Sequence, residues 1–252
     1  MSGHSKWANI KHKKGRTDEK RGKEFTKVAK EITIAVKAGG GADPETNAKL
    51  KLAVQKAKAI NLPNENIQRA IKKGAGEAGG EALEEFFYEG YAPGGVAVML
   101  EIATDNRNRT APEIRHLFSK NGGNLGETGC VGWMFKRAGI INVATGKLPG
   151  DEEEFMLQVL ELGADDIREA DEVYEIITPA DQFLEIKEAM EKEGYVLEDA
   201  DWDMVPQNMT EVTDLEVARK VIKLIDLLED NDDVQNVYTN MSIPDELMEK
   251  LS

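Results

Sequence analysis

Cysteine is nearly absent from this sequence, which has Cys130 as its single example in 252 residues. One cysteine can form neither an internal disulfide nor a cysteine-based zinc cluster, and so low a content fits a reducing compartment. Long apolar runs are missing too, because the longest, residues 96–100, ends at Glu101, whereas a membrane span needs roughly 20 residues. The basic N-terminus is followed by no apolar core, so we expect no secretory signal. These absences predict a cytoplasmic protein without a membrane span.

Recognisable catalytic motifs are equally scarce. The chain has three histidines and lacks a Walker phosphate loop, a dinucleotide fingerprint, a nucleophile elbow and a zinc-protease motif. Cys130 stands in a predicted strand between Gly129 and Val131, a position more typical of a small buried apolar residue than of a nucleophile. The acidic run at residues 151–154 opens a predicted helix, where carboxylates complement the helix dipole. We therefore expect neither enzymatic activity nor a cofactor or metal site.

The charge of the chain is divided unevenly along its length. The formal net charge is -15, yet residues 1–75 contain 18 Lys or Arg against 7 Asp or Glu. Residues 76–252 contain 14 basic against 40 acidic side chains, and within them residues 138–204 contain 4 against 20. Because a local field acts over a Debye length of about 8–10 Å, this division matters more than the average. It predicts a basic N-terminal domain attached to an acidic body.

The N-terminal part has the periodicity of helices. Apolar residues recur every three or four positions in residues 17–38, again after Asp43-Pro44, and again between Leu62-Pro63 and Gly74. The glycine-rich run at 74–80 is typical of a flexible linker. These features predict a three-helix domain within residues 1–80.

From about residue 82 the pattern changes to strands that alternate with helices. A Thr110–Glu113 capping box marks the start of the first of these helices. Residues 138–204 follow the order strand, helix, strand, strand, helix, strand, which is the ferredoxin-like arrangement. The elements outside that segment are predicted as strands at 85–91, 96–104, 129–136, 205–212 and 234–240 and helices at 110–120 and 215–228.

The outer elements can form a second set of the ferredoxin-like order, provided that the strand near 205–212 joins the others. The expected fold is therefore an α+β multidomain one, with the N-terminal three-helix domain followed by two ferredoxin-like α+β domains, one inserted in the other. The expected domains are residues 1–80, a discontinuous domain of 82–137 plus 205–252, and an inserted acidic domain of 138–204.

The N-terminal arm combines cations with aromatic rings. Lysines and arginines can neutralise phosphates, and interleaved rings can stack on exposed bases, so the pattern favours nucleic-acid binding. A solvated basic tail, or an arm that folds back on the acidic domain, is the alternative. The nucleic-acid-binding residues predicted here are Lys6, Trp7, Lys11, His12, Lys13, Lys14, Arg16, Lys20, Arg21 and Lys23.

Two further groups of residues are candidates for the same role. Cations at the end of the third helix can bind phosphate or neutralise the helix C-terminus. Arginines in a polar loop before a helix add forked donors to backbone amides that already attract anions, although a hydrogen-bonded turn with solvent-facing arginines is an equal alternative. The two groups are Arg69, Lys72 and Lys73, and Arg107, Asn108 and Arg109.

Long stretches of the chain resemble one known family. They are GHSKWANIKHKKGRTDEKRGKEFTK at the N-terminus, AIKKGAG at 70–76, YEGYAPGGVAVMLEIATDNRNRT at 88–110 and NGGNLGETGCVGWMF at 121–135. They closely resemble the YebC/PmpR family, whose members are named probable transcriptional regulators. The resemblance covers essentially the whole chain and implies a cytoplasmic protein of three domains, one inserted in another. It also implies a DNA-binding regulator, although mitochondrial relatives activate translation and some bacterial members act on ribosomes that synthesise proline runs.

Three hypotheses for the function remain open on the sequence alone. The first is a transcriptional regulator that binds promoter DNA through the basic helical domain. The second is a translation factor whose arm enters ribosomal RNA, since an extended arm with rings suits irregular RNA. The third is a non-enzymatic adaptor whose acidic domain recruits a basic protein partner. All three make the protein a binding protein rather than an enzyme.

Overall fold

The structure is a computed structural model that describes residues 18–77, 79, 82–148, 150–170 and 172–251, without the side chains of residues 18–21 and 170. The described chain divides into two compact units. The first unit contains residues 18–132, 210–239 and 243–251, and the second contains Trp133–Met209 and Asn240–Ser242. Helices come first and sheets follow, so the predicted α+β class is confirmed. The division of the first unit into a helical and a sheet domain stays a prediction.

The elements are numbered here in chain order. The helices are α1 Asp18–Lys37, α2 Ala48–Ala59, α3 Asn64–Gly74, α4 Arg107–Lys120, α5 Glu152–Glu161, α6 Phe183–Lys192, α7 Leu215–Glu229 and α8 Asp245–Glu249. The strands are β1 Glu84–Ala92, β2 Val96–Thr104, β3 Asn124–Leu125, β4 Phe135–Ala144, β5 Asp166–Ala170, β6 Val173–Pro179, β7 Leu197–Pro206, β8 Thr210–Glu211, β9 Val234–Thr239 and β10 Met241–Ser242.

The first three helices pack around a small apolar core. Its fully buried members include Ile32 of α1 and Leu50 of α2, and Ile67 of α3 is 2 % exposed. The sequence pattern predicts that the second helix restarts at Asp43-Pro44, and that start is wrong. Asn47 caps α2 instead, because its side-chain oxygen accepts a 3.1 Å hydrogen bond from the Leu50 amide.

The sheet of the first unit has the strand order β3-β1-β2-β9, with antiparallel neighbours. The strand predicted near 205–212 does not join it. Residues 205–206 end β7 of the other unit's sheet, and β8 is only two residues long. The place beside β2 is taken by β1, which reaches it through a tight turn at Pro93–Gly95. The β1–β2 hairpin therefore supplies a neighbour for β2 that the sequence pattern had assigned to residues 205–212, more than 100 positions further along the chain.

The sheet of the second unit has the order β5-β6-β4-β7 and is antiparallel throughout. With α5 and α6 this is the predicted ferredoxin-like order of elements, which is confirmed. The strand predicted at 129–136 and the first strand predicted within 138–204 are one strand, β4, that begins at Phe135 after a short 3₁₀ turn. A Cβ on Gly139 would collide with the Phe183 ring, so glycine lets α6 lie close against the sheet.

Candidate nucleic-acid interface

Most of the predicted arm lies outside the described residues. This applies to Lys6, Trp7, Lys11, His12, Lys13, Lys14 and Arg16, and to the side chains of Lys20 and Arg21, whose backbone belongs to α1. The role predicted for these nine residues stays a prediction. The described part of the candidate interface begins at Lys23.

The outer face of α3 is basic. Ile67, Ala70 and Ile71 face the core, and this leaves Arg69, Lys72 and Lys73 exposed in the last two turns. None of these three side chains forms an ion pair or hydrogen bond with another described residue. The stripe therefore offers three cations that no described carboxylate neutralises, and the sequence pattern did identify these three residues.

Helix α2 adds three cations that the sequence reasoning missed. Lys49, Lys51 and Lys58 are exposed and, like the α3 stripe, have no carboxylate partner among the described residues. Lys51 and Lys58 are seven residues apart, which places them on one face of the helix. The signal was present in the sequence as lysines next to the apolar positions Leu50, Leu52 and Ala57, which are buried. Together with the α3 stripe they make six exposed cations on two helices that both pack on α1, and we call this set the α2–α3 basic surface.

Three lysines of α1 behave differently, because they bind the end of α7. Lys23, Lys27 and Lys30 recur at helical spacing, and we call them the lysine row. Lys23 Nζ is 2.7 Å from Asp230 Oδ1, and Lys27 Nζ donates a 2.6 Å hydrogen bond to the Glu229 carbonyl. Carbonyls at a helix C-terminus carry partial negative charge, so cations are favoured there. Lys23 thus has an intramolecular partner, and its contact with nucleic acid stays a prediction.

Lys30 completes the lysine row at a buried carboxylate. Its Nζ donates to the Ala103 carbonyl at 3.0 Å, to the Asp232 carbonyl at 2.7 Å and to Asp233 Oδ1 at 2.9 Å. An ammonium group has three donors, so these acceptors use all of them. The charges of Lys23, Lys27 and Lys30 are accordingly committed to packing α1 against the ends of β2 and α7.

The polar loop at 104–110 forms the start of α4 in a way that the sequence did not predict. The capping box of Thr110 and Glu113 is wrong, because α4 begins at Arg107 and Asn106 is its cap. The Arg109 amide donates to Asn106 Oδ1 at 3.1 Å. Thr110 is fully buried inside the helix, with its hydroxyl oxygen 2.8 Å from Asp233 Oδ2.

Asp233 gathers four side chains on its two oxygens, and one of them is Thr104, whose hydroxyl oxygen lies 3.2 Å from Oδ2. Arg109 lies at 2.8 Å and Thr110 at the same distance from Oδ2, while Lys30 binds Oδ1. Burial alone would raise the pKa of Asp233, but the hydrogen bonds from Arg109, Lys30 and Thr110 outweigh it and lower the pKa to about 2. The charged carboxylate therefore joins α1, α4 and the turn before β9.

Arg107 and Asn108 lie on the outside of the same helix start. The Arg107 guanidinium is bound to Glu84 at 2.5 Å and stacks over the Phe86 ring at 3.9 Å, with its side chain 55 % exposed. Asn108 is exposed, and its side chain forms no hydrogen bond with a described residue. The three predicted residues therefore have different surroundings. Arg109 binds the buried Asp233, whereas Arg107 and Asn108 are accessible to solvent.

A buried glutamate organises the loop of the NGGNLGETGC stretch. Glu89 of β1 accepts hydrogen bonds from the amides of Gly129 at 2.8 Å, Val131 at 2.8 Å and Gly132 at 2.6 Å. Burial would raise the pKa of Glu89, but these three amides lower it on balance. Cys130 lies in this loop and not in the predicted strand, and burial together with the nearby Glu89 charge raises the pKa of its thiol.

Neither a metal site nor a membrane-spanning helix is found in the part of the chain that the structure describes. No group of three or more His, Cys, Asp or Glu side chains in the described part of the chain is arranged to hold a metal ion. Among the helices described, none has the length and apolar character that crossing a membrane requires. The α2–α3 basic surface and the exposed residues at the start of α4 therefore remain the candidate site.

Comparison with known proteins places the chain in a family. Residues 5–77 match the family model described as "TACO1/YebC protein N-terminal domain", and residues 83–241 match "TACO1/YebC second and third domain". A "Probable transcriptional regulatory protein" of Syntrophomonas wolfei is 69% identical over 100% of both chains. Another of the same name from Halothermothrix orenii is 56% identical over 100% of this chain and 99% of the relative.

A solved structure agrees with these matches. The crystal structure of a conserved hypothetical protein from Aquifex aeolicus has a TM-score of 0.87 and 49% sequence identity, and it covers 95% of this chain and 97% of that one. The resemblance predicted from the motifs is thereby confirmed. The chain belongs to the TACO1/YebC family.

Proposed function

We propose that the protein is a non-enzymatic regulator of gene expression that binds nucleic acid through its basic helical part. The observation that carries this proposal is the α2–α3 basic surface, six exposed cations without a described carboxylate partner in a chain of net charge -15. Each phosphate that such a cation neutralises releases counterions, and this release supplies much of the affinity for a nucleic acid.

The contrast with α1 supports the proposal. The lysine row directs its charge to acceptors of the same unit, at distances from 2.6 to 2.9 Å at the principal contacts. The six cations of the α2–α3 basic surface have no such partner among the described residues, whereas Lys56 of α2, which is not one of the six, pairs with Glu31 of α1 at 2.9 Å. Together with the arm and the exposed pair Arg107 and Asn108, they form the surface that we propose meets phosphates.

DNA is the target that the names of the relatives favour, since a transcriptional regulator acts on promoters. Helix α3 also exposes Asn64, Gln68 and Arg69 on its outer side, and amide and guanidinium groups are the usual readers of base edges. We therefore propose DNA binding with α3 toward the bases. Binding to ribosomal RNA, in a translation factor, is the outcome that would replace it.

Crosslinking in cells, followed by sequencing of the bound nucleic acid, tests the proposal. We expect reads concentrated at promoters, whereas reads from ribosomal RNA would replace DNA by RNA as the target. Recovery of no nucleic acid above a mock sample would contradict the function as a whole.

A matched pair of variants tests the surface. Arg69→Ala with Lys72→Ala and Lys73→Ala removes three cations from α3, and we expect binding to weaken by at least about tenfold at physiological salt. Arg219→Ala with Lys220→Ala and Lys223→Ala removes the same side-chain types from the exposed side of α7. Equal effects of the two variants would show that only net charge matters and would contradict a role for α3.

A further inference from the structure

The second unit uses only one face of its sheet for its helices. On that face Phe183 of α6 lies over Gly139, and the Phe155 ring of α5 packs against Tyr174 with ring centroids 5.3 Å apart. Side chains alternate along a strand, so the β4 residues on either side of Gly139 lie on the opposite face. We call that opposite face the outer face of the second sheet.

The centre of the outer face is apolar. Ile140 of β4 and Ile177 of β6 are cross-strand partners, and with Ala138 they form a cluster against which Val205 packs. Ile140 is 8 % exposed and Ile177 6 % exposed, although both helices of the unit belong to the other face. The centre of the outer face is therefore apolar although no described helix of the unit packs on it.

Carboxylates flank the apolar cluster. Asp199, Asp201 and Asp203 occupy alternate positions of β7, and Asp201 and Asp203 are the cross-strand partners of Ile140 and Ala138. Glu175 of β6 is on the same face, and it shares with Asp199 the cross-strand partner Asn142. The three aspartates of β7 place negative charges roughly 7 Å apart along the strand. The binding of a cationic segment along this strand is therefore electrostatically favourable.

We propose that the outer face binds this chain's own N-terminal arm, residues 6–14, and holds it away from nucleic acid. The proposal rests on the proposed function, because it describes how the arm is made available for binding. The arm fits by charge, since Lys6, Lys11, Lys13 and Lys14 match four carboxylates, and no acidic residue precedes Asp18. It also fits by apolarity, because Trp7 and Ile10 supply apolar side chains that can pack on the isoleucine pair.

Competition between the two partners follows from this arrangement. An arm that is docked for about nine-tenths of the time lowers the apparent affinity of its phosphate contacts about tenfold. A nucleic acid of sufficient charge displaces it, whereas weak and incidental polyanions do not. The acidic unit thereby raises the selectivity of a basic arm without contacting the nucleic acid.

Zero-length crosslinking of the full-length protein tests the docking without any nucleic acid. A carbodiimide joins a lysine to a carboxylate only where they are in contact. We expect crosslinks between lysines of residues 6–14 and Glu175, Asp199, Asp201 or Asp203 at about 20 mM salt, and fewer at about 0.5 M, where the Debye length falls to a few ångströms. Crosslinks from the arm to other carboxylates, or none, would overturn the proposal. A mixture of isotope-labelled and unlabelled protein reports a docked second copy as mixed-mass crosslinks, which would also overturn it.

A charge-neutralising variant tests the competition. Asp199→Asn with Asp201→Asn and Asp203→Asn keeps the side-chain shape and the local hydrogen bonds of Asp201 and Asp203 to the following amides. We expect this variant to bind a single-stranded oligonucleotide of about 30 nucleotides, and a duplex of the same length, about tenfold more tightly than the wild-type protein does. The control variant replaces Glu153, Glu154 and Glu161 of α5 by Gln, which removes the same number of negative charges. An equal gain in affinity for this control would show that only net charge matters and would overturn the proposal.

The two readouts separate this inference from the proposed function. If the protein shows crosslinks at the predicted carboxylates but binds neither oligonucleotide, the docking of the arm is supported and the proposed function is contradicted. Nucleic-acid binding without those crosslinks would retain the function and remove the docking.

Discussion

Lys30 Nζ lies 2.9 Å from Asp233 Oδ1, and this buried ion pair joins helix α1 to the turn before β9 across 203 positions of the sequence. Asp233 is 5% exposed, and Lys30 directs its two other donors to backbone carbonyls. The Lys30 ammonium group therefore holds α1 against the sheet of the same unit. Its removal takes one hydrogen-bond donor from the Asp233 carboxylate and one from each of the carbonyls of Ala103 and Asp232.

Lys30→Met is expected to lower the free energy of unfolding by about 1–3 kcal/mol, since three acceptors lose a charged donor while the aliphatic stem is kept. Urea unfolding measures the change. Arg219→Met is the control, because its ion pair with Glu216 is exposed on both sides and should cost less than about 1 kcal/mol. A Lys30 variant as stable as that control would contradict the role of the lysine row.

The stability of the protein is expected to depend on the charge of Asp233 at low pH. Its folded pKa of about 2 lies below the ordinary aspartate value of 3.8, so the folded state favours the charged carboxylate. That contribution, about 2 kcal/mol, is present above pH 4 and is lost as the pH falls through about 2. Urea midpoints measured from pH 5 to pH 2 should fall less steeply for Asp233→Asn than for the wild type, and parallel curves would contradict this assignment.

The two arginines at the start of α4 are expected to separate into different roles. Arg109→Ala removes a donor from buried Asp233 and should lower stability by about 1–3 kcal/mol. Arg107→Ala removes an exposed pair with Glu84 and should change stability by less than about 1 kcal/mol while weakening nucleic-acid binding. Thermal unfolding and oligonucleotide binding of both variants check this, and an Arg107 variant with unchanged affinity would leave the exposed arginine without a role in binding.

The fold could be predicted where the signals were local. The order of elements in 138–204 follows from alternating and helical periods within short windows, and it is confirmed. The wrong cap of α4 has a different cause: Asn106 and Thr110 are both good caps, and only the buried Asp233, distant in sequence, decides that Thr110 lies inside the helix.

The candidate site could be predicted only in part for a similar reason. The α3 stripe was visible because its cations follow buried residues at helical spacing. That Lys27 donates a hydrogen bond to a carbonyl 202 positions away depends on tertiary packing, which the sequence pattern does not show. The strand predicted near 205–212 was wrong for the same reason, since a pattern of alternation does not state which strand a segment pairs with.

Glu89→Gln is expected to destabilise the loop that contains Cys130. One side-chain oxygen becomes an NH₂ group that faces backbone donors, so at least one buried amide is left without an acceptor, and we expect a destabilisation of about 1–3 kcal/mol. Alkylation of Cys130 by iodoacetamide should then proceed faster than in the wild type. Glu113→Gln, on an exposed residue of α4, is the control and should change neither quantity. A Glu89 variant with unchanged stability and thiol reactivity would show that the three amides do not depend on the carboxylate.

The arm itself is tested by the dependence of binding on salt. Replacing Lys11, Lys13, Lys14 and Arg16 together by Ala should weaken binding and flatten the plot of log affinity against log salt by about 0.7–0.9 for each phosphate that the arm no longer neutralises. The smaller value is expected for single strands and the larger for duplex DNA, so the slopes of the two oligonucleotides should differ even for the same number of phosphate contacts. Titrations of both oligonucleotides between about 50 and 200 mM salt provide them. A variant with the wild-type slope would remove the arm from the interface and leave the α2–α3 basic surface to account for the binding alone.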